Sequence, residues 1–539
     1  MLTIDNGASR AVLTQLGTAQ GGSSHVPGAA AGHAVWPNRL MATGVLFFWL
    51  VLYGYCLFPG LGGMLNAGDS AKFQTLGHTS ILVHGPGYPL ILMLGTFVRW
   101  LALPLEPWWI MTFLMASVPG AIANTMAFLI VRRLTQTVIF GLAAALLLGS
   151  AGLMAVQSTE AEVYPLALAF ILSTGFLLLR FIETKWPGYF IAACGVYALS
   201  FGNHLMMIML VPVFFWITAA HYRILLRPKI IISVLLLVMA GASQYLYLAW
   251  VTHAPTTAYS EYMPLPPTTT ELIQYIAGTY FGDLYGAGLA STQTAEILLN
   301  TLEFAHPRLS APMIVAGLAV FALGWRQRDT AWRGLALILG IGLAFMPFTL
   351  WYGAYDIRAF HLPVLGPMLV GSIAAIGWWV ARWPRVRLWA GVILIMFGVV
   401  RTVEMAGYLS ARTPLFEGLV ETLEVIVPQS PVPDPVVSMT YDVRMATLYH
   451  ELLDEVPKPA SYRVTWRTQD EIAKRDPVGG LVVPTDGEQF LQWIEHRHPE
   501  LICRTMPVEQ LAGTPWPAYA FLCEDRVAST PPSAPGESD

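Results

Sequence analysis

The chain has 539 residues, of which 55% are hydrophobic and only 12% charged. Soluble chains carry roughly a quarter charged residues, so this one cannot cover a water-soluble globule of its size; a soluble multidomain enzyme and a disordered scaffold are excluded. A net charge of −4 leaves no basic footprint for nucleic acid, and what remains is a polytopic membrane protein.

Residues 1–40 are rich in Gly, Ala and Ser and read as a flexible cytoplasmic tail, not a cleavable signal peptide. A spanning helix needs roughly 17–25 apolar residues. Runs of that kind lie at 41–60, 109–131, 137–156, 164–182, 230–252, 334–352, 362–381 and 388–407, with shorter ones at 88–103, 188–202, 204–219 and 311–325. Cytoplasmic loops collect Lys and Arg. The clusters are Arg132/Arg133, Arg180/Lys185, Arg223/Arg227/Lys229, Arg326/Arg328/Arg333 and Arg382/Arg385/Arg387. All five fall on one side if the N-terminus is inside, about eleven helices cross, and 88–103 does not cross. That segment is then expected at the outer interface, where Arg99, Trp100, Trp108 and Trp109 suit it. The transmembrane part is 41–407, with outer loops at 61–108 and 253–310.

From 408 to 525 the composition turns polar. Short strands are predicted at 436–441, 463–466 and 480–483 and helices at 445–453 and 489–496, an alternation that predicts a small α/β domain outside the membrane. Residues 526–539 are expected to be disordered. Cys56 and Cys194 lie in apolar runs as packing residues, whereas Cys503 and Cys523 can pair if this part faces an oxidising compartment.

The polar residues of the membrane part gather at the outer ends. N-A-G-D-S-A-K (66–72) offers Asp69, for which a helix-capping role and a functional one are both open. H-G-P-G-Y-P-L (84–90) is a rigid turn carrying His84 and Tyr88. Q-S-T-E-A-E-V-Y (157–164) places Glu160, Glu162 and Tyr164 where one helix leaves and the next enters. These carboxylates favour the helix N-terminus, but at a membrane boundary they are costly enough to be functional candidates. G-N-H (202–204) adds Asn203 and His204, a turn whose histidine reads first as a satisfied core residue. Y-D-I-R-A-F-H (355–361) adds Asp356, Arg358 and His361. Its bland reading is a local cap on the next helix, and its functional one an anion site, since Arg suits bidentate phosphate binding. One face with carboxylates, an arginine and histidines suits glycosyl transfer from a lipid phosphate. A carboxylate serves as general base for an acceptor hydroxyl, and a cation stabilises the leaving phosphate.

In this order the motifs resemble a membrane family once catalogued as a domain of unknown function and now grouped with protein O-mannosyltransferase-like enzymes of the GT-C glycosyltransferase superfamily. The resemblance spans roughly residues 41–365. It implies a polyprenyl-phosphate sugar donor and transfer on the periplasmic or lumenal face. The reading is an inverting transfer to a protein, glycan or lipid acceptor, and with the charge pattern it puts the site and C-terminal domain on the periplasmic side of a bacterial inner membrane. The resemblance carries an essential acidic residue onto Asp69 and a second acidic position onto Glu160 or Glu162. Asp69 and Glu162 are thus the catalytic candidates. Glu160, His84, Tyr88, Tyr164, Asn203, His204, Asp356, Arg358 and His361 are the substrate-binding ones. Enzymes of this kind need no metal, although Asp69 and Glu162 are of the type that holds Mg²⁺ or Mn²⁺. One departure is Gly85, where many relatives have proline. The competing readings are a lipid or solute transporter, disfavoured because the polar residues sit at one interface without repeated halves, and a non-catalytic scaffold.

Overall fold

A computed structural model describes residues 35–254, 257–258, 268–284, 286, 310–324, 329–353, 357–433, 435–457, 461–464, 478–483, 487–506, 508, 516 and 518–525. Asp356, the 526–539 tail, nearly all of the N-terminal tail and much of the 253–310 loop lie outside them. The chain divides into two units, Met1–Met41 and Ala42–Asp539. In the first, the described residues begin at Val35, in a helix that continues to Tyr55.

In the second unit the apolar runs expected to span are helical where described, and among the described residues six helices are long and apolar enough to cross a membrane. They are Pro107–Thr135, Tyr164–Thr184, Pro228–His253, Thr330–Trp351, Arg358–Val380 and Pro384–Ser410. Helix starts follow from proline, whose missing N–H costs nothing in the first turn; Pro89, Pro107, Pro165, Pro187, Pro228 and Pro384 all occupy it. Within Pro107–Thr135 the turn Phe113–Ser117 is π-helical, beside Pro119, which cannot donate the usual helical bond. The 137–156 run is broken into Val138–Gly149 and Gly152–Gln157. The 88–103 run forms Pro89–Leu101, 13 residues, a rise of about 20 Å against a hydrocarbon core of about 30 Å. Arg99 on this helix turns inward: it donates to the carbonyls of Leu76 and Thr79 and to Ser80 Oγ, tying down the 61–108 loop.

Three of the basic clusters meet at one end of the bundle. Arg133 and Arg180 both reach Glu183, at 2.9 and 2.7 Å, and Lys185 Nζ lies 3.2 Å from His221 Nε2. The polar motifs meet at the other end, where Ser80–Ile81 pairs in parallel with Thr257–Ala258 and joins the two long loops.

The C-terminal part is a five-stranded sheet in the order Ser461–Val464, Val436–Met439, Val478–Val483, Tyr519–Asp525, Leu501–Met506. The first three strands are parallel and the last two antiparallel. Strands and helices lie near the predicted positions, the helices as Tyr441–Leu452 and Gly487–Arg497; the first predicted strand stops at Met439, Tyr441 opens a helix instead, and 465–466 lie outside the described residues. The two antiparallel strands and a further helix, Leu419–Ile426, are additions to the sequence reading. Leu501–Met506 is a half-exposed edge with no apolar run to announce it. Cys503 and Cys523 face each other across this hairpin and are disulfide-bonded.

Candidate active site

The first site element is the helix Ala67–Thr75. Its N-cap is Asn66, whose Oδ1 accepts from the Asp69 N–H. Asp69 is therefore not the cap; it sits in the first turn, where the helix N-terminus favours a negative charge. Its Oδ1 accepts from Lys72 Nζ at 2.5 Å and from the Tyr441 hydroxyl at 2.6 Å, and its Oδ2 accepts from Asn66 Nδ2 at 2.8 Å. Burial alone would raise the Asp69 carboxyl. The Lys72 ammonium beside it, helped by His84 and the Tyr441 hydroxyl, instead holds it well below the usual carboxylate range. Asp69 is ionised at any physiological pH.

Lys72 is only 1% exposed. Its three-donor ammonium is surrounded by Asp69 Oδ1, His84 Nδ1 at 2.5 Å and the Tyr441 oxygen at 2.8 Å. Burial and Lys72 together push His84 down to about 3, so its ring is neutral. With Nδ1 accepting from Lys72, the proton is assigned to Nε2, which donates to the Tyr88 hydroxyl at 3.0 Å. Tyr88 holds this position with φ 45°, left-handed backbone that a non-glycine residue adopts at a cost. At Gly85 an added Cβ would meet the Tyr275 carbonyl oxygen at 2.7 Å; the later loop fills the space that a side chain would need.

The two carboxylates of E-A-E-V-Y have different surroundings. Glu162 faces a cavity and accepts from Ser70 Oγ at 3.5 Å. Glu160 faces the protein: it is wholly buried and paired at 2.8 Å with Arg412, itself 3% exposed, just past the last long helix. Arg412 also donates to the Cys56 carbonyl at 2.6 Å and to Thr159 Oγ1 at 2.9 Å. Burial raises the Glu160 carboxyl, and the backbone N–H groups of Met64 and Leu65 and the Arg412 charge oppose that.

The cavity has a volume of about 740 Å³, within the range of small-molecule sites. Asp69, His84, Tyr88, Glu162, Tyr164 and His204 line it, with Asn66, Tyr441 and Asp442 beside them. The lining also includes apolar side chains, among them Leu205, Met209, Leu284, Phe348 and Phe360. His204 Nδ1 accepts from the Met206 N–H at 3.1 Å, and its ring packs against Tyr88, Tyr164 and Phe360. It is thus both locally satisfied and part of the lining.

Four candidates stand outside the lining. Glu160 is held by Arg412. Asn203 is buried and donates to the Val163 carbonyl at 3.0 Å, fixing the E-A-E-V-Y turn against G-N-H. His361 is buried at the start of Leu362–Val380. Arg358 is exposed on the short helix Ile357–Phe360. Among the described residues no three of His, Cys, Asp and Glu converge as ligands for one metal ion. The sequence reading passed over Lys72, Tyr441, Asp442 and Arg412. For Lys72 a signal was present, since a residue three places after Asp69 shares its helical face.

Residues 69–225 match the family model described as protein O-mannosyl-transferase TMEM260 N-terminal domain. That stretch begins at Asp69 and contains His84, Glu162 and His204. Over that stretch it bears out the resemblance read from the motifs: residues 69–225 are similar to the N-terminal domain of a protein O-mannosyltransferase. No curated protein matches it. Two solved structures of ArnT from Cupriavidus metallidurans, one bound to undecaprenyl phosphate and one in the apo state, are similar to it. Each has 11% identity and a TM-score of 0.49 over 93% of this chain and 100% of its own.

Proposed function

We propose that this protein transfers a sugar, with inversion, from a polyprenyl-phosphate donor to an acceptor hydroxyl in the cavity beside Asp69. The observation that carries this reading is the cavity's mixed lining, in which an ionised carboxylate and a second acid share one space with apolar side chains. An isoprenoid chain suits the apolar side chains, and a sugar with its acceptor suits the polar ones. The matched family is described by mannosyl transfer to protein, so mannose and a protein hydroxyl are the first sugar and acceptor to test.

In this reading Asp69 takes the proton of the acceptor hydroxyl as the acceptor oxygen bonds to the sugar's anomeric carbon. The bond from that carbon to the phosphate oxygen breaks, and its electron pair leaves with the phosphate. Glu162 holds the acceptor or the sugar, and His84, Tyr88, Tyr164 and His204 shape the site. Arg358, two residues before the cavity-lining Phe360, takes the donor phosphate, and the step calls for no metal. The topology that accompanies this reading has about eleven spans, the basic end of the bundle in the cytoplasm, and the site and C-terminal domain outside. The Cys503–Cys523 disulfide supports that orientation, because such bonds persist in oxidising compartments.

The test is Asp69→Asn, assayed in membranes with labelled polyprenyl-phosphate mannose. Loss of transfer by about a hundredfold or more is expected. Wild-type turnover with normal expression would remove Asp69 from the chemistry and this reading with it.

A further inference from the structure

The C-terminal domain enters the site through the first turn of Tyr441–Leu452. Besides the Tyr441 contacts to Asp69 and Lys72, Asp442 Oδ1 accepts from the Gly68 N–H at 2.7 Å. It thereby satisfies a free donor at the start of the helix that carries Asp69. The fit has no slack: a Cβ on Gly68 would lie 2.6 Å from the Tyr441 ring and 2.7 Å from Asp442 Oδ1. A carboxylate oxygen has two acceptor positions. Asp69 Oδ1 fills both, from Lys72 and Tyr441, whereas among the described residues Oδ2 accepts only from Asn66.

We infer that Tyr441 is a positioning residue: it fixes Asp69 through Oδ1, leaves Oδ2 as the oxygen that takes the acceptor's proton, and makes docking of the C-terminal domain a condition of turnover. This rests on Asp69 being the base. The acceptor proton passes to Oδ2, the acceptor oxygen bonds to the anomeric carbon, and the phosphate leaves with the electron pair; Tyr441 keeps its proton throughout. The other ionisable groups around Asp69 are Lys72 on its own helix, His84 from the turn, Asp442 from the docked helix and Glu162 across Ser70.

The experiment uses the full chain with labelled polyprenyl-phosphate mannose as donor. Tyr441→Phe keeps the ring and removes the hydroxyl; it is expected to lower kcat about tenfold with the donor KM unchanged, and to lower the thermal unfolding temperature modestly, because buried Lys72 loses an acceptor. Gly68→Ala keeps the hydroxyl and pushes Tyr441 away, in a helix that favours alanine. It should lower kcat at least as much, since it also crowds Asp442, and the double variant should lose little beyond Gly68→Ala alone, because the Tyr441 bond is already gone there. Wild-type kcat in Tyr441→Phe would overturn the role of Tyr441, as would multiplying losses in the double variant. If Tyr441→Phe does not accumulate, Gly68→Ala alone decides: wild-type kcat there overturns the inference. An inactive Asp69→Asn alongside a fully active Tyr441→Phe rejects only this inference, whereas an active Asp69→Asn rejects the functional reading beneath it.

Discussion

The buried pair of Glu160 and Arg412 joins three segments, and replacing Arg412 by Met should open that joint. Met matches the stem of the side chain but removes the guanidinium. Glu160, wholly buried, would keep only backbone donors from Met64 and Leu65. The Cys56 carbonyl and Thr159 Oγ1 would lose their donor, and Phe58 would lose the cation that stacks on its ring 5.2 Å away. Breaking one partner of a buried pair costs about 3–5 kcal/mol, whereas replacing both with apolar residues is often close to neutral. Arg412→Met and Glu160→Gln should each be destabilising by that order, and Glu160→Leu/Arg412→Met should be more stable than Arg412→Met alone. Thermal unfolding in detergent measures the stability. The labelling rate of Cys56, a buried thiol beside the joint, measures local opening in a background with Cys194 replaced by Ala. Arg412→Met that unfolds and labels like the wild type would refute the reasoning, as would a double variant weaker than Arg412→Met.

Two further outcomes are expected. His84 has an ordinary value near 6.5 but titrates at about 3 in the folded chain. Between those values the unfolded chain binds a proton that the folded one does not, so stability falls as pH drops, by about 1.4 kcal/mol per unit. Asp69 has the depressed sign: its contribution is complete above about pH 4 and is lost only as pH falls towards its folded value. From pH 7 to 5 His84 contributes to the slope alongside His204, which burial pushes down to about 4, and His84→Gln should remove roughly 2 kcal/mol of it; an unchanged slope in thermal unfolding would count against the neutral assignment. Cys503 and Cys523 are 20 residues apart, so reduction or a double Ser replacement should cost the C-terminal sheet about 3 kcal/mol, and a melting profile indifferent to reductant would contradict that.

Much of the membrane part was legible because its code is local: hydrocarbon thickness sets the length of an apolar run, and proline marks where the helices begin. The candidate site was legible in part for the same reason. In a chain with so few charges, Asp69 and Glu162 stand out, and both line the cavity. Local sequence favoured Glu162 over Glu160 but kept both in the site. They lie two residues apart at one turn, both suited to a helix N-terminus, and it is Arg412, some 250 residues later, that holds Glu160 in the protein. Tyr441 and Asp442 gave no signal at all, since a Tyr-Asp pair opening a helix in a polar domain is ordinary until that helix is seated on Gly68. The glycine of the first motif is the complementary clue. Its value lies in the missing Cβ, and only the approach of a distant chain segment reveals why that atom must be absent. Scarcity of charge therefore picks out the candidates, while long-range pairing separates those held in structure from those left facing the cavity.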